Sequence, residues 1–386
     1  MGLLPLAAVV LALSPDTTQP EFDQPVAPPS PMAWVSEFES QLSQVGEHGR
    51  MVGFAAAIIE NGEVVATFTS GETALGSGQP VTEETLFRAA SVTKTFTGTL
   101  LASLETAGLV DLNEPVPEQL IRLNGSRQPT WRELASHQTG LPPNAYDNLI
   151  EAGRDAQTVR ERLAEVDLVC PVGECYTYQN VAFAVVEGLI EETTGLTYEE
   201  AVDEFLLGPL GLETAGFGAA HLEASGNWAR PHRGRLRRVG SAVTDYDTLP
   251  AAAGLSVSLN DMIAWAKAHM DEEGGLPRDV RERAFSAQIR STRETRNLRR
   301  LRRIDDTAYG LGWRIYDWND RTLVAHGGAL AGYGSQIVME PETGFAIVAL
   351  WNADFGLPRL LWPTAMDLRT GDGPGEFVED ALARMR

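Results

Sequence analysis

The period of the apolar positions changes four times along the chain. Residues 53–71, GFAAAIIENGEVVATFTSG, form two apolar runs of strand length separated by Asn61 and Gly62. An Asn-Gly pair between such runs predicts a two-residue hairpin, because that turn needs positive φ at both central positions. Just ahead, from Trp34 to about Val45, apolar residues recur at helical spacing. The far end of the chain returns to strand character: GLGWRIYDW, RTLVAH and GSQIVMEPETGFAIVALWN read as three more strand segments, the last a pair joined through Glu342 to Gly344. A final helix over Leu357 to Leu368 would cover them. Between the two ends the pattern is mostly helical, with short connections such as GLVDLNEPV and a capping box from Thr130 to Glu133 that opens the WRELAS helix. No internal repeat is visible. These periods predict an α/β (α+β) fold in which an antiparallel sheet, built from residues 34–90 and 305–386 at both chain ends, is flanked by helices. Residues 91–304 form a mostly helical inserted domain, and two such lobes leave a cleft.

The first fourteen residues, MGLLPLAAVVLALS, hold an apolar run of about a dozen, too short to span a bilayer and like the core of a secretory signal peptide. This predicts a periplasmic or secreted protein without an integral membrane span. Lys and Arg are absent before the run and Pro15 follows it, so the cleavage position stays open. Residues 15–33, rich in Pro, Ser, Thr, Gln and Asp, read as a disordered tether.

Charge narrows the partners. With 31 Lys+Arg against 53 Asp+Glu the chain carries a formal charge of -22, a field that repels phosphate backbones. Without a zinc-finger, RRM or basic-helix pattern, nucleic acid is not an expected partner. Six scattered histidines lack metal-ligand spacing, and GxSxG, HExxH and Walker motifs are absent, so no metal or cofactor is expected. Two cysteines cannot make a disulfide scaffold. Export would favour a bridge between Cys170 and Cys175, but their spacing alone leaves two free thiols open. Of the 31 basic residues only Lys94 and Lys267 are lysines, and lysine, unlike arginine, can be deprotonated.

Lys94 belongs to an SxxK tetrad with Ser91 that opens the apolar helix SVTKTFTGTLLASLETAG. Three-residue spacing puts both side chains on one helical face. A serine hydroxyl needs an adjacent base for acyl transfer, and a lysine kept neutral by burial can serve. A second element is Tyr178 with Asn180, where a phenol can shuttle a proton and an amide can orient the acyl group. Tyr146 and Asn148 form a competing pair of the same letters, ranked lower because they enter an apparent helix. The third element is His326, Gly327 and Gly328 after strand TLVA, where glycines let a substrate approach the strand edge. His137 in SHQTGLP is expected to hold loop backbone, and Asp245 and Asp247 to mark a turn.

Together and in this order the three elements resemble the penicillin-recognising serine hydrolases: class C β-lactamases, low-molecular-weight penicillin-binding proteins and β-lactamase-like carboxylesterases. SHQTGLP, LPAAAGLSVSLNDMIAWAKAHM, YGLGWRIYDW, HGGALAGYGS and FAIVALWN extend the resemblance over most of residues 40–365. It implies that Ser91 is acylated, Lys94 is its base and Tyr178 with Asn180 completes the second element. It places His326 and Gly328 in the third, and implies an oxyanion hole of the Ser91 and Ala329 amides. The implied function is a β-lactamase-related serine hydrolase acting through an acyl-serine on esters, β-lactams or peptidoglycan-type amides. A D-alanyl-D-alanine carboxypeptidase-type penicillin-binding protein, or an inactive cell-wall-binding or regulatory relative, is the alternative.

One departure bears on substrate. His326 and Gly327 stand where β-lactamases of this family usually carry Lys and Thr, so the cation and hydroxyl that help hold a substrate carboxylate are missing. Short acyl esters are therefore expected to be better substrates than β-lactams, unless an arginine substitutes. The ten arginines between Arg278 and Arg303 are a candidate source, although a solvated face is the favoured reading of that stretch.

Overall fold

The computed structural model describes residues 33–385 apart from 236, 243, 271–274 and 302. The apolar leader and nearly all of the expected tether lie outside the described residues. The first element is helix α1 (Ala33–Gly46), followed by strands β1 (Gly53–Glu60) and β2 (Glu63–Gly71). Asn61 and Gly62 take φ of 53° and 77°, the conformation the hairpin turn demands. After the helical segment come β3 (Ile289–Arg290), β4 (Ile304–Tyr309), β5 (Arg314–Trp318), β6 (Arg321–Leu330), β7 (Tyr333–Glu340) and β8 (Phe345–Trp351). They form one antiparallel sheet in the order β2-β1-β8-β7-β6-β5-β4-β3, so the N-terminal hairpin docks onto the last strand through pairs such as Ala57 with Val348.

Every residue of β1 and β8 is buried, because both faces of these central strands are covered. Phe54, Ala56, Ile58, Ile347 and Trp351 pack with α1 and the helix Leu361–Thr370 on one face. Ala55, Ala57, Ile59, Val348 and Leu350 pack under the helical lobe on the other. Within that lobe Phe87–Arg88, Leu255–Val257 and Gly216–Phe217 add a small sheet that the helical period did not announce.

Two differences from the pattern matter for the site. Strands β3 and β4 escaped it, because IDDTAY and its arginine-rich surroundings are edge sequence with little apolar alternation. The HGGAL segment is also strand rather than the end of one: Gly327 pairs with Gln336 and Gly328 with Ser335 of β7. On the opposite side β5 stops at the Arg314–Ala325 pair, so His326 to Leu330 present a strand edge that β5 leaves uncovered.

Candidate active site

Helix α2 (Thr93–Thr106) carries Lys94, and Ser91 sits in the single 3₁₀ turn Ala90–Val92 that precedes it. Ala90 has φ of 49°, a left-handed conformation that an alanine holds only when its surroundings impose it. Thr93 Oγ1 donates to Ala90 O at 2.6 Å, Ala89 N donates to Leu255 O at 2.9 Å, and Ser335 Oγ on β7 donates to Ala89 O at 2.5 Å. The turn is thus pressed onto β6 and β7. A Cβ at Gly328 would collide with Ser335 Oγ and Ala89 O and lie 3.0 Å from Ala90 Cβ, whereas at Gly327 the nearest atom would be 3.9 Å away. Of the two glycines, only Gly328 is required by close approach.

Lys94 is fully buried. Its Nζ lies 2.7 Å from Asn180 Oδ1, 2.8 Å from Ala252 O and 3.5 Å from Ser91 Oγ. Burial, aided by Arg314 and opposed by Asp147, lowers its pKa to about 7. A neutral amine has two N–H bonds and one lone pair, and Asn180 Oδ1 and Ala252 O take the two N–H groups. The lone pair is left for the Ser91 hydroxyl.

The loop that brings Tyr178 and Asn180 to this amine is stitched onto the segment after the WRELAS helix, whose Thr130–Glu133 capping box forms as expected. Val169 N donates to Gly140 O, Gly173 N to Gln138 O, Thr177 N to His137 O and Asn144 N to Tyr178 O, all within 2.9 Å. His137 Nδ1 accepts from Gln179 N at 3.3 Å, so this histidine does hold loop backbone. Cys170 and Cys175 are joined in a disulfide just before the tyrosine. Lys94 Nζ sits 4.8 Å from the centroid of the Tyr178 ring, and burial pushes the phenol up to about 12. The competing pair is elsewhere: Tyr146 stacks under Arg162 and Asn148 is exposed.

His326 is buried. Its Nδ1 donates to Gly327 O and its Nε2 accepts from Tyr309 Oη, both at 3.0 Å. Burial, with Arg314 and Lys94 nearby, holds its pKa well below the ordinary value, so it is neutral at pH 7. Ala329 lies on the same strand opposite Gly334.

Sequence reasoning missed two charged groups here. Arg314 opens β5, packs its guanidinium 5.5 Å from the Tyr178 centroid and 5.9 Å from that of Tyr309, and is bonded to Glu294. The signal was an arginine beginning the strand RIYDW just before the glycine strand. Asp147 is buried and accepts from Asn180 Nδ2 at 2.6 Å; it is the middle letter of the competing Tyr146–Asn148 pair. The arginine-rich stretch is mostly tied elsewhere, Arg283 to Glu105, Arg290 to Asp306 and Arg303 to Asp367. Among its described residues, only Arg300 joins Arg314 and Arg359 around a cavity of about 210 Å³ that adjoins Gly327. Asp247, expected only to mark a turn, also pairs with the buried Arg88 at 2.7 Å.

Comparison with known proteins agrees with this architecture. Residues 38–368 match the family model described as Beta-lactamase. The chain is 25% identical over 331 residues to "Penicillin-binding protein 4" of Amycolatopsis lactamdurans, covering 83% of this chain and 84% of that one. It is 27% identical over 338 residues to a D-aminopeptidase of Brucella anthropi, covering 83% of this chain but only 60% of that longer relative. Its fold is similar to that of the octameric penicillin-binding protein homologue from Pyrococcus abyssi, with a TM-score of 0.77, 23% identity, and coverage of 89% of this chain and 78% of the other. The chain belongs to the beta-lactamase family of serine hydrolases.

Proposed function

We propose that the protein hydrolyses short acyl esters, and more slowly strained cyclic amides, through an acyl intermediate on Ser91. The observation that carries this reading is Lys94: a buried amine with a pKa near 7, its N–H groups engaged by two acceptors and its remaining face toward Ser91 Oγ. In the proposed cycle Lys94 Nζ takes the Ser91 proton as Oγ attacks the acyl carbon. The Ser91 and Ala329 amides receive the developing oxyanion. Tyr178, neutral at working pH, gives its proton to the leaving group and is reprotonated by Lys94 Nζ; water then attacks the acyl carbon, its proton passes along the same relay, and Ser91 Oγ leaves as the hydroxyl.

The ester preference rests on the third element. His326 is neutral, Gly327 has no hydroxyl, Arg314 already faces Glu294, and Arg359 is turned onto the backbone, its Nη2 donating to Gly328 O at 3.2 Å. None of these is a free fixed charge for a β-lactam carboxylate. The Cys170–Cys175 bridge and the apolar leader support export to an oxidising compartment.

Intact mass after incubation with a fluorophosphonate and with a penicillin, followed by peptide mapping, tests the reading. A single adduct on the Ser91 peptide, abolished in Ser91→Ala, is expected; modification elsewhere would remove Ser91 from its role. Fast penicillin acylation with slow release, together with inert esters, would instead mark penicillin-binding behaviour.

A further inference from the structure

Asp147 is the first residue of the short helix Asp147–Ile150, and it is delivered to Lys94 by a loop rather than by either motif element. Its Oδ2 accepts from Asn180 Nδ2 at 2.6 Å, while Asn180 Oδ1 accepts from Lys94 Nζ at 2.7 Å. All three side chains are buried. An amide has one acceptor end and one donor end. Without a partner fixed on one side, Asn180 could turn and offer Nδ2 to Lys94, which would engage the lone pair needed for Ser91.

We propose that Asp147 is the positioning residue of this site: it locks the Asn180 amide with Oδ1 toward Lys94, and its negative charge opposes the cations that face the same amine. The inference rests on the role given above to Ser91 and Lys94. The groups facing Lys94 are Asp147 from its loop, Arg314 from β5, Tyr178 and Asn180 from the disulfide loop, and His137 and His326, both held neutral. Around Asp147 stand Asn180, Tyr246 and Glu151, and burial raises its own pKa. The tyrosines titrate far above neutrality, and Lys94, lowered to about 7, is the amine on which the Asp147 charge acts.

Two variants separate geometry from charge. Asp147→Asn keeps an acceptor for Asn180 Nδ2 but removes the charge; Asp147→Leu removes both. The readout is the rate of fluorophosphonate labelling of Ser91 between pH 5 and 9, with a thermal melt of each variant. In Asp147→Asn the amine loses the charge that favours its protonated form, so the acidic limb moves down by roughly one pH unit while the plateau stays within about threefold. In Asp147→Leu the plateau falls by about tenfold or more. An Asp147→Asn profile that superimposes on wild type overturns the inference. Absence of Ser91 labelling in the wild-type protein would sink the underlying reading instead, so the two failures are distinct. If Asp147→Leu does not fold, the Asp147→Asn limb alone decides.

Discussion

In the proposed cycle one buried side chain, Lys94, is committed to chemistry. Arginine in its place would keep the charge and could not be deprotonated, so Lys94→Arg should reduce Ser91 acylation by at least two decades. The wild-type rate should rise with pH through a half-maximum at about 7, because the active form is the neutral amine and the group is protonated below that value. Labelling rates across pH 5 to 9 check both statements, and a Lys94→Arg protein of near-native rate would mean another group is the base. Substrate choice also belongs to single residues. Gly327 has space for a side chain and borders the cavity shared by Arg300, Arg314 and Arg359. Gly327→Thr should therefore raise the specificity constant for carboxylated substrates relative to neutral esters by about tenfold, the effect of one added charge-assisted hydrogen bond. An unchanged ratio would show that the substrate carboxylate lies elsewhere. At this scale Ser91 and Lys94 were legible because three-residue spacing on a helix is a local fact. Arg314 and Asp147 were not, because their importance depends on which distant segments meet them.

Among the elements, the turn bearing Ser91 and strand β6 act as one unit. Gly328 is the contact point, since any side chain there meets Ala89 O and the Ser335 hydroxyl. Gly328→Ala should destabilise the fold by roughly 1–3 kcal/mol, as overpacking does, and lower Ser91 labelling. Gly327→Ala, one residue away, should do neither. Urea melts and labelling rates of the pair give the comparison; equal damage in both would mean that strand flexibility rather than close approach selects the glycines. The hairpin at Asn61–Gly62, α1 and β5 to β8 were readable from period alone. The HGG letters looked like the end of a strand because glycine has no side chain to show a period, yet the backbone pairing runs through them to Leu330. Strands β3 and β4 were unreadable for a related reason: edge strands bury little, so their sequence carries little alternation.

Over the whole molecule, four buried histidines tie stability to pH; His232 is lowered too, and His137, His269 and His326 are displaced furthest. Burial depresses His137 and His326 well below the ordinary value and His269 to about 3. In the unfolded chain each takes a proton near pH 6.5, whereas the native state binds none until much lower pH. Stability from this source is complete above about pH 6.5 and is lost as pH falls, with a limiting slope of roughly 1.4 kcal/mol per pH unit for each histidine. Relief of the repulsion from a charge of -22 acts in the opposite sense. We expect the histidines to dominate between pH 6.5 and 5, and denaturant melts across that range measure the balance. In His269→Gln the slope should flatten by about one proton; an unchanged slope would show that His269 does not contribute.

Local sequence determined α1, the hairpin strands β1 and β2, most of β5 to β8, where the first hairpin turns, and the presence of a serine and a lysine at helical spacing. These depend on neighbours within a few residues, where backbone sterics and side-chain period act directly. Tertiary structure alone decided that the helical segment closes over one face of the sheet, that β5 ends early enough to leave the HGG edge uncovered, and that Asp147 and Arg314, from distant segments, act on Lys94 with opposite charge. It also decided that His326 is a neutral, buried partner of Tyr309 rather than a cation. The charge state of a buried group is set by desolvation and by charges brought from distant parts of the chain, and neither exists until the chain has folded.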